Sequence, residues 1–313
     1  MLNRRHIRVK VMQSIYAMHQ NASDSMDKEE KFLFKSIENI RDLYLIIVSA
    51  LVELRNGEQE YIEKLSKKHL ATAAERNPNK KFIDNKILQL LEDNNSLSVA
   101  MADRKINNWK QNDDYILILL EAVRNSEVYT AYMKSETNTF EEDRDFIVTL
   151  FTEVIAPNEK LYEYLEDYKL TWVDDIPLVN TLIAKQLRQI QPDGNLFSVP
   201  ALYKDIDDKD FVKNLFRKTV LNEQELAKEF IDKTPNWDTE RIAELDAIIL
   251  KMAICEFLKF PSIPIKVTIN EYLEIAKEYS TPKSSIFING ILDNIIKDYQ
   301  SKNKLVKTGR GLM

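Results

Sequence analysis

Residues 237–258 read WDTERIAELDAIILKMAICEFL, and their spacing decides the fold class. Ile242, Leu245, Ile249 and Met252 recur every three or four residues, the period of a helix with one face in a core. Cys255 lies within the same apolar pattern, as a small core residue. Working outward, Ile269, Leu273, Ala276 and Tyr279 mark the core face of the next helix. Thr268, Ile269, Asn270 and Glu271 have capping-box spacing, so that helix begins either there or just after Pro264. The same texture fills the rest of the chain. Its periodicity places helices at about 3–20, 27–56, 58–75, 80–92, 97–111, 113–135 and 141–155. Further helices follow at about 157–169, 174–190, 207–221, 222–233, 238–259, 266–279 and 284–300. Gly57 reads as the end of the second helix, and Gln191 to Asn195 as the clearest linker. The fold class is all-α.

Composition points the same way. The 313 residues include only 5 Gly and 9 Pro, too few for turn-dense β architecture. The glycines stand at 57, 194, 290, 309 and 311, and no two have the spacing of a phosphate-cradling loop. One cysteine and three histidines, His6, His19 and His69, make no zinc site from Cys pairs and no ready Cys/His nucleophile. No metal, no cofactor and no enzymatic activity are expected. A lone cysteine forms no intrachain disulfide, which fits a reducing compartment. The longest apolar stretch, Leu43 to Leu54, is too short for a bilayer and contains Ser49 and Glu53. No apolar segment follows the basic start. The expectation is a soluble, cytoplasmic protein with no membrane contact.

The net charge of −6 conceals an asymmetry. Residues 1–10 carry Arg4, Arg5, Arg8 and Lys10 without an acid, and residues 300–313 carry Lys302, Lys304, Lys307 and Arg310 without one. An acidic body of −14 therefore lies between two +4 ends, a pattern of interaction segments. The C-terminal run, with Gly309 and Gly311, reads as a disordered basic tail. The N-terminal run is built into a helix. Ile7, Val11, Ile15 and Met18 form its core stripe, and Arg5, Arg8, Met12 and Tyr16 form a second stripe beside it. Guanidinium groups next to an aromatic ring suit single-stranded RNA, pairing with phosphates and stacking on bases. A solvated helix face with Tyr16 half-buried is the other reading of the same stripe.

An internal similarity appears at an offset of 65 residues. Asp143 to Phe151 (DRDFIVTLF) resembles Asp208 to Phe216 (DKDFVKNLF), and the same offset pairs Leu161 with Leu226, Asp167 with Asp232 and Trp172 with Trp237. Two copies of a helix-turn-helix unit and a coincidence of apolar periods both account for it.

Taken in order, these segments resemble the NusB family of transcription antitermination factors. The residues that carry the resemblance are Arg4, Arg5, His6, Ile7 and Arg8 with Gln13 and Tyr16, then the 237–258 run. Ile263 to Val267, Ile269 to Glu271, Glu274 to Lys277 and Phe287 to Asp293 complete the series. Val9, Ile7 and Val11 stand where the family commonly carries an acidic residue flanked by small ones. Ile286 stands where a basic residue is usual before the Phe. The resemblance covers 1–20 and 207–299.

That resemblance implies helical bundles of the NusB type, formed here by 1–20 and 207–300, with an additional helical insertion over 21–206. Within the insertion, 143–190 reads as a degenerate copy of 208–255, and 301–313 is the basic tail. It implies a non-enzymatic factor that binds boxA-type RNA through its first helix together with NusE, a small-subunit ribosomal protein. The two act on the RNA polymerase elongation complex. RNA contacts carry over to Arg4, Arg5, Arg8, Tyr16 and Phe287, and the NusE-facing acid to Asp246. Physical alternatives stand beside these. Asn270 and Glu271 read as a cap and a helix-start charge. Phe287 reads equally as core, and Gly290 as a point of close helix approach or of phosphate contact. A helical protein-interaction scaffold with RNA binding weakened or lost is the rival function. An RNA methyltransferase with an attached domain of this type would need a glycine-rich loop that the sequence lacks.

Overall fold

The computed structural model describes residues 1–192, 197–231 and 242–312. Helices make up 75% of the described residues, as the periodicity requires. Among the described residues the only extended pairing is an isolated bridge between Leu2 and Tyr203. The helices are α1 Arg4–Gln20, α2 Met26–Ser66, α3 Ala73–Arg76, α4 Lys86–Glu92, α5 Asn95–Arg104, α6 Asn108–Gln111, α7 Asp113–Arg124 and α8 Glu127–Lys134. Then follow α9 Phe140–Leu150, α10 Glu159–Tyr168, α11 Ile176–Gln189, α12 Ile206–Leu221, α13 Glu223–Ile231, α14 Glu244–Lys259, α15 Ile265–Tyr279 and α16 Ser284–Ser301. None of the described helices is long and apolar enough to cross a membrane. The chain forms two compact units. A central unit comprises Glu38–Leu202 with Met1, and a two-segment unit comprises Leu2–Ile37 and Tyr203–Met313.

The central unit is organised on α2. Leu43, Ile47, Leu51 and Leu54 are buried along one face, at helical spacing. Trp109 donates its indole N–H to the Ile46 carbonyl (3.0 Å), and Trp172 donates to that of Asn39 (2.9 Å). Each large ring is thereby buried with its one polar atom satisfied. Gly57 does not end the second helix, which continues to Ser66. Its missing side chain faces Leu120 of α7, whose Cδ2 would lie 3.5 Å from an added Cβ. Burial on both sides of Gly57 outweighs the roughly 1 kcal/mol that glycine costs inside a helix. The stretch 97–111 is two helices rather than one. Lys105 adopts left-handed φ (56°) at the end of α5, which stops it.

In the two-segment unit α14 is the central rod. Ile248, Ile249, Leu250, Met252, Ala253, Ile254, Cys255, Glu256 and Phe257 are all buried, as for a helix enclosed on every side. It packs against α1, α12, α13, α15 and α16. Burial pushes the Cys255 thiol up to about 11, so the residue is inert core at neutral pH. The helix starts at Glu244 with Ala243 as N-cap, later than the periodicity places it. Part of that interval, with Trp237 and Asp232, lies outside the described residues.

Of the two starts open to this helix the structure takes the one just after Pro264: α15 begins at Ile265 with Pro264 as N-cap. The Thr268 hydroxyl donates to Glu256 Oε1 at 2.6 Å. The buried face is Thr268, Tyr272, Ile275 and Ala276, rotated from the apolar stripe because Tyr272 also reaches Glu256 with its hydroxyl, at 3.3 Å. The C-terminal run is not wholly a solvated tail. Thr308 N–H bonds the Pro261 carbonyl (3.0 Å), and Gly309–Leu312 form a 3₁₀ turn.

Candidate nucleic-acid interface

The first turn of α1 concentrates positive charge where a helix dipole disfavours it, and it contains no acidic residue. Other helices supply the compensation. Arg4 donates from Nε to Asp208 Oδ1 of α12 (3.0 Å) and lies 5.1 Å over the Phe211 ring. Arg5 makes two bonds to Glu271 of α15, both 2.9 Å, and this carboxylate raises its already high pKa. The two side chains are 42% and 40% exposed. Each is thus aimed by a fixed carboxylate while much of its surface stays open to solvent.

The turn itself is held by a reciprocal cap. Asn3 accepts from His6 N–H (3.0 Å) and donates its own N–H to His6 Nδ1 (3.4 Å). Burial, then the Arg5 charge, lowers the His6 pKa, which keeps Nδ1 available as an acceptor. At the far end of α1, His19 lies between Glu223 (2.9 Å) and Glu244 (3.1 Å).

Arg8 is placed differently from its neighbours, buried where they are partly exposed. Its side chain is 2% exposed, against 0% for Glu256, to which it donates two hydrogen bonds, Nε to Oε2 (2.9 Å) and Nη2 to Oε1 (2.8 Å). Its guanidinium lies 5.2 Å from the centre of the Phe211 ring and 5.7 Å from that of Tyr272. The structure thus gives Arg8, expected as an RNA contact, a packing role as well. Arg8 ties α1 to α14, because a buried charge is tolerable only when paired and hydrogen-bonded. Asp246, expected to face NusE, is buried and accepts from Ser280 (2.6 Å) and Ser284 (2.7 Å), joining α14 to the start of α16.

The arginines and Tyr16 divide between two concavities. Arg4, Arg5 and Arg8 line a cleft of about 640 Å³ with Asn3, Ser262, Ile263, Pro264, Val267 and Glu271. Tyr16, 40% exposed, lines a second hollow of about 400 Å³ with Met12, Gln13, Ala243, Glu244, Leu245 and Tyr279. The twelve residues from Arg4 to Tyr16 correspond to roughly 18 Å along the helix. Phe287 is half-buried on α16 beside Ile286, which is 75% exposed. Gly290 meets no atom within 4 Å of a built Cβ, so it is not a close-approach point between helices.

Sequence reasoning passed over three residues of this site, the carboxylates Asp208, Glu271 and Glu256. Asp208 opens the repeated Asp-x-Asp-Phe pattern, which was its available signal. Glu271 is an ion-pair partner of Arg5, and not a helix-start charge, since α15 begins six residues earlier. Glu256 carried a signal as the one acid inside an otherwise apolar run.

The sequence model of the NusB family matches residues 202–297. The chain is 47% identical over 119 residues to a transcription antitermination protein NusB of Salinibacter ruber, covering 38% of this chain and 73% of that protein. Similarity to the protein of the same name in Chloroherpeton thalassium is 42% over 109 residues, 35% of this chain and 52% of that one. For Clostridium kluyveri it is 44% over 95 residues, 30% and 61%. These relatives are named for transcription antitermination, not for a catalysed reaction. No solved structure matches.

Proposed function

The chain belongs to the NusB family, and from that premise we propose that it is a cytoplasmic transcription antitermination factor that captures single-stranded boxA-type RNA at the start of α1. It acts with NusE and the RNA polymerase elongation complex. The observation that carries the reading is the pairing of Arg4 and Arg5 in one cleft, each oriented by a carboxylate and about two-fifths exposed. Phosphate oxygens take the open faces of the two guanidinium groups, which are planar donors suited to bidentate capture. Tyr16 offers a ring to an unpaired base, and Phe287 a second one. Arg8 holds the helix on which these groups stand. The RNA-binding domain comprises the first helix and 207–300, and the segment between them is an insertion whose compact part is 38–202.

The test is a titration of boxA-type single-stranded RNA followed by fluorescence anisotropy at several salt concentrations. Replacing Arg4 and Arg5 together by Ala removes two phosphate contacts. It should reduce the slope of log K against log salt by about 1.4 and weaken binding about 10- to 100-fold near 0.1 M salt. Wild-type affinity and slope in the double variant would overturn the site.

A second reading, a helical scaffold for protein partners with RNA binding lost, is favoured by one observation. The family-model match leaves residues 1–201 outside it, the first helix and the central unit included. In that case the wild-type protein binds no RNA in the same titration, with or without NusE.

A further inference from the structure

The segment after α16 has no part in the reading above, and its contacts lead to a wall of the cleft. Asn303, at φ 50°, turns the chain so that Lys304 N–H returns to the Tyr299 carbonyl (2.8 Å). Lys304 then pairs with Glu229 of α13 (2.5 Å). Lys307 crosses to the end of α14 and donates from Nζ to the carbonyls of Phe260 (3.1 Å) and Glu256 (3.4 Å). Each carbonyl already accepts one backbone N–H, from Ile263 at Phe260 and from Phe260 at Glu256. Lys307 therefore takes a second acceptor site at a helix end where the dipole favours a cation. Burial lowers the Lys307 pKa, as for an amine drawn from water to serve those carbonyls.

The next contacts are closer. Thr308 N–H donates to the Pro261 carbonyl (3.0 Å). Gly309 has φ 53°, a region that glycine enters at little cost, and it opens the 3₁₀ turn that sets Gly311 against the same carbonyl. A Cβ on Gly311 would lie 1.9 Å from Pro261 O, so no other residue fits without displacing the segment. The three residues that follow Pro261, namely Ser262, Ile263 and Pro264, line the cleft with Arg4 and Arg5.

We propose that residues 303–312 are a brace that fixes the turn between α14 and α15 and so sets the shape of the nucleic-acid cleft, with Lys307 and Gly311 as positioning residues. It rests on the RNA reading of that cleft. The partners of its lysines argue for a brace over a further phosphate contact. Lys302 pairs with Asp298, Lys304 with Glu229, and Lys307 caps α14. The family match ends at residue 297, so the brace is a feature of this chain beyond the matched region.

The experiment compares the full chain with Gly311→Ala, with Lys307→Met and Lys307→Arg, and with a chain ending at Asn303. The probe is boxA-type single-stranded RNA, titrated at a temperature where thermal scans show every variant folded. Hydrogen exchange is read at the Ile263 amide, which bonds the Phe260 carbonyl at 3.2 Å. Gly311→Ala, Lys307→Met and the truncation should expose that amide and weaken RNA binding about five- to tenfold. Lys307→Arg should restore both towards wild type. Wild-type RNA affinity in Gly311→Ala and in the truncated chain would overturn the brace. If the wild-type chain itself binds no RNA, the function proposed above fails instead. The brace then stands or falls on Ile263, where unchanged protection in the truncated chain overturns it.

Discussion

Asp143–Phe151 in the central unit and Asp208–Phe216 in the two-segment unit start and end alike, and their side chains are buried alike. Phe146 and Phe211, Leu150 and Leu215, and Phe151 and Phe216 are core in their respective units. What differs is the company of the first carboxylate and of the aromatic ring. Asp143 accepts from the Tyr132 hydroxyl (2.6 Å) and from Lys86 N–H (3.0 Å). Tyr132 stacks on Phe146 at 3.8 Å, with Lys81, 8% exposed at its side chain, over the tyrosine ring. In the other stretch two arginines lie over Phe211, and Asp208 holds the exposed one. The same apolar pattern thus supports a sealed polar cluster in one unit and a cationic rim in the other. Charge follows that division. Residues 38–202 hold 28 acids against 19 bases, a net of −9, and the remaining residues 22 against 25, a net of +3. A hydrophobic motif specifies packing, and the residues that reach its polar end specify what the unit meets.

The largest effect expected from breaking this comparison is at Arg8. Arg8→Leu leaves Glu256 charged and buried without its main partner. The cost is about 3–5 kcal/mol, read as a lower midpoint in urea unfolding. Arg4→Ala, at a partly exposed pair, should cost no more than about 1 kcal/mol. Equal costs for the two would mean that Arg8 is not the strut of α1. The double variant Arg8→Leu/Glu256→Leu should recover much of the loss, since removing both charges removes the desolvation problem with them.

A smaller contrast separates the two aspartates. Asp143→Asn gives up a buried acceptor site and should cost about 1–3 kcal/mol, with RNA affinity unchanged. Asp208→Asn should cost about 1 kcal/mol through its share in the cap of α12. It should also tighten RNA binding, because the carboxylate that competes with phosphate for Arg4 is gone. Weaker RNA binding by Asp208→Asn would show that the carboxylate's orienting role outweighs its competition.

The fold was legible because its information is periodic. Apolar spacing gave the class and most helices, and its errors lie where tertiary contact overrides a local signal. Gly57 punctuates on paper, yet packing against Leu120 carries the helix past it. The site was legible only as a cluster of arginines on one helix. A stripe of Arg5, Arg8, Met12 and Tyr16 has one period but two environments, since Arg8 and Met12 are sealed while Arg5 and Tyr16 are not. What divides them is a carboxylate 248 residues away from Arg8 in the chain, and no local pattern encodes that distance. The hydrogen bonds of Asp246 were hidden for the same reason. Its partners Ser280 and Ser284 lie 34 and 38 residues further on.

The smallest effect concerns pH and sets the two stretches apart once more. His6 has a folded-state pKa lowered below its unfolded value of about 6.5. The unfolded chain therefore binds the proton more readily, and the stability that His6 contributes is complete above that value and declines as pH falls through it. The groups that face it are Arg5 and the amino terminus, which oppose protonation, and Glu271, which favours it. Once protonated, Nδ1 carries a hydrogen and cannot accept from Asn3, so the reciprocal cap opens. The loss should be under about 1 kcal/mol, the scale of a single cap interaction. Between pH 7.5 and 5.5, the protection factors of the first turn of α1, corrected for the intrinsic pH dependence of exchange, should fall while those of α9 in the central unit stay unchanged. In His6→Gln the pH dependence of that first turn should disappear. If it persists, His6 does not control the turn.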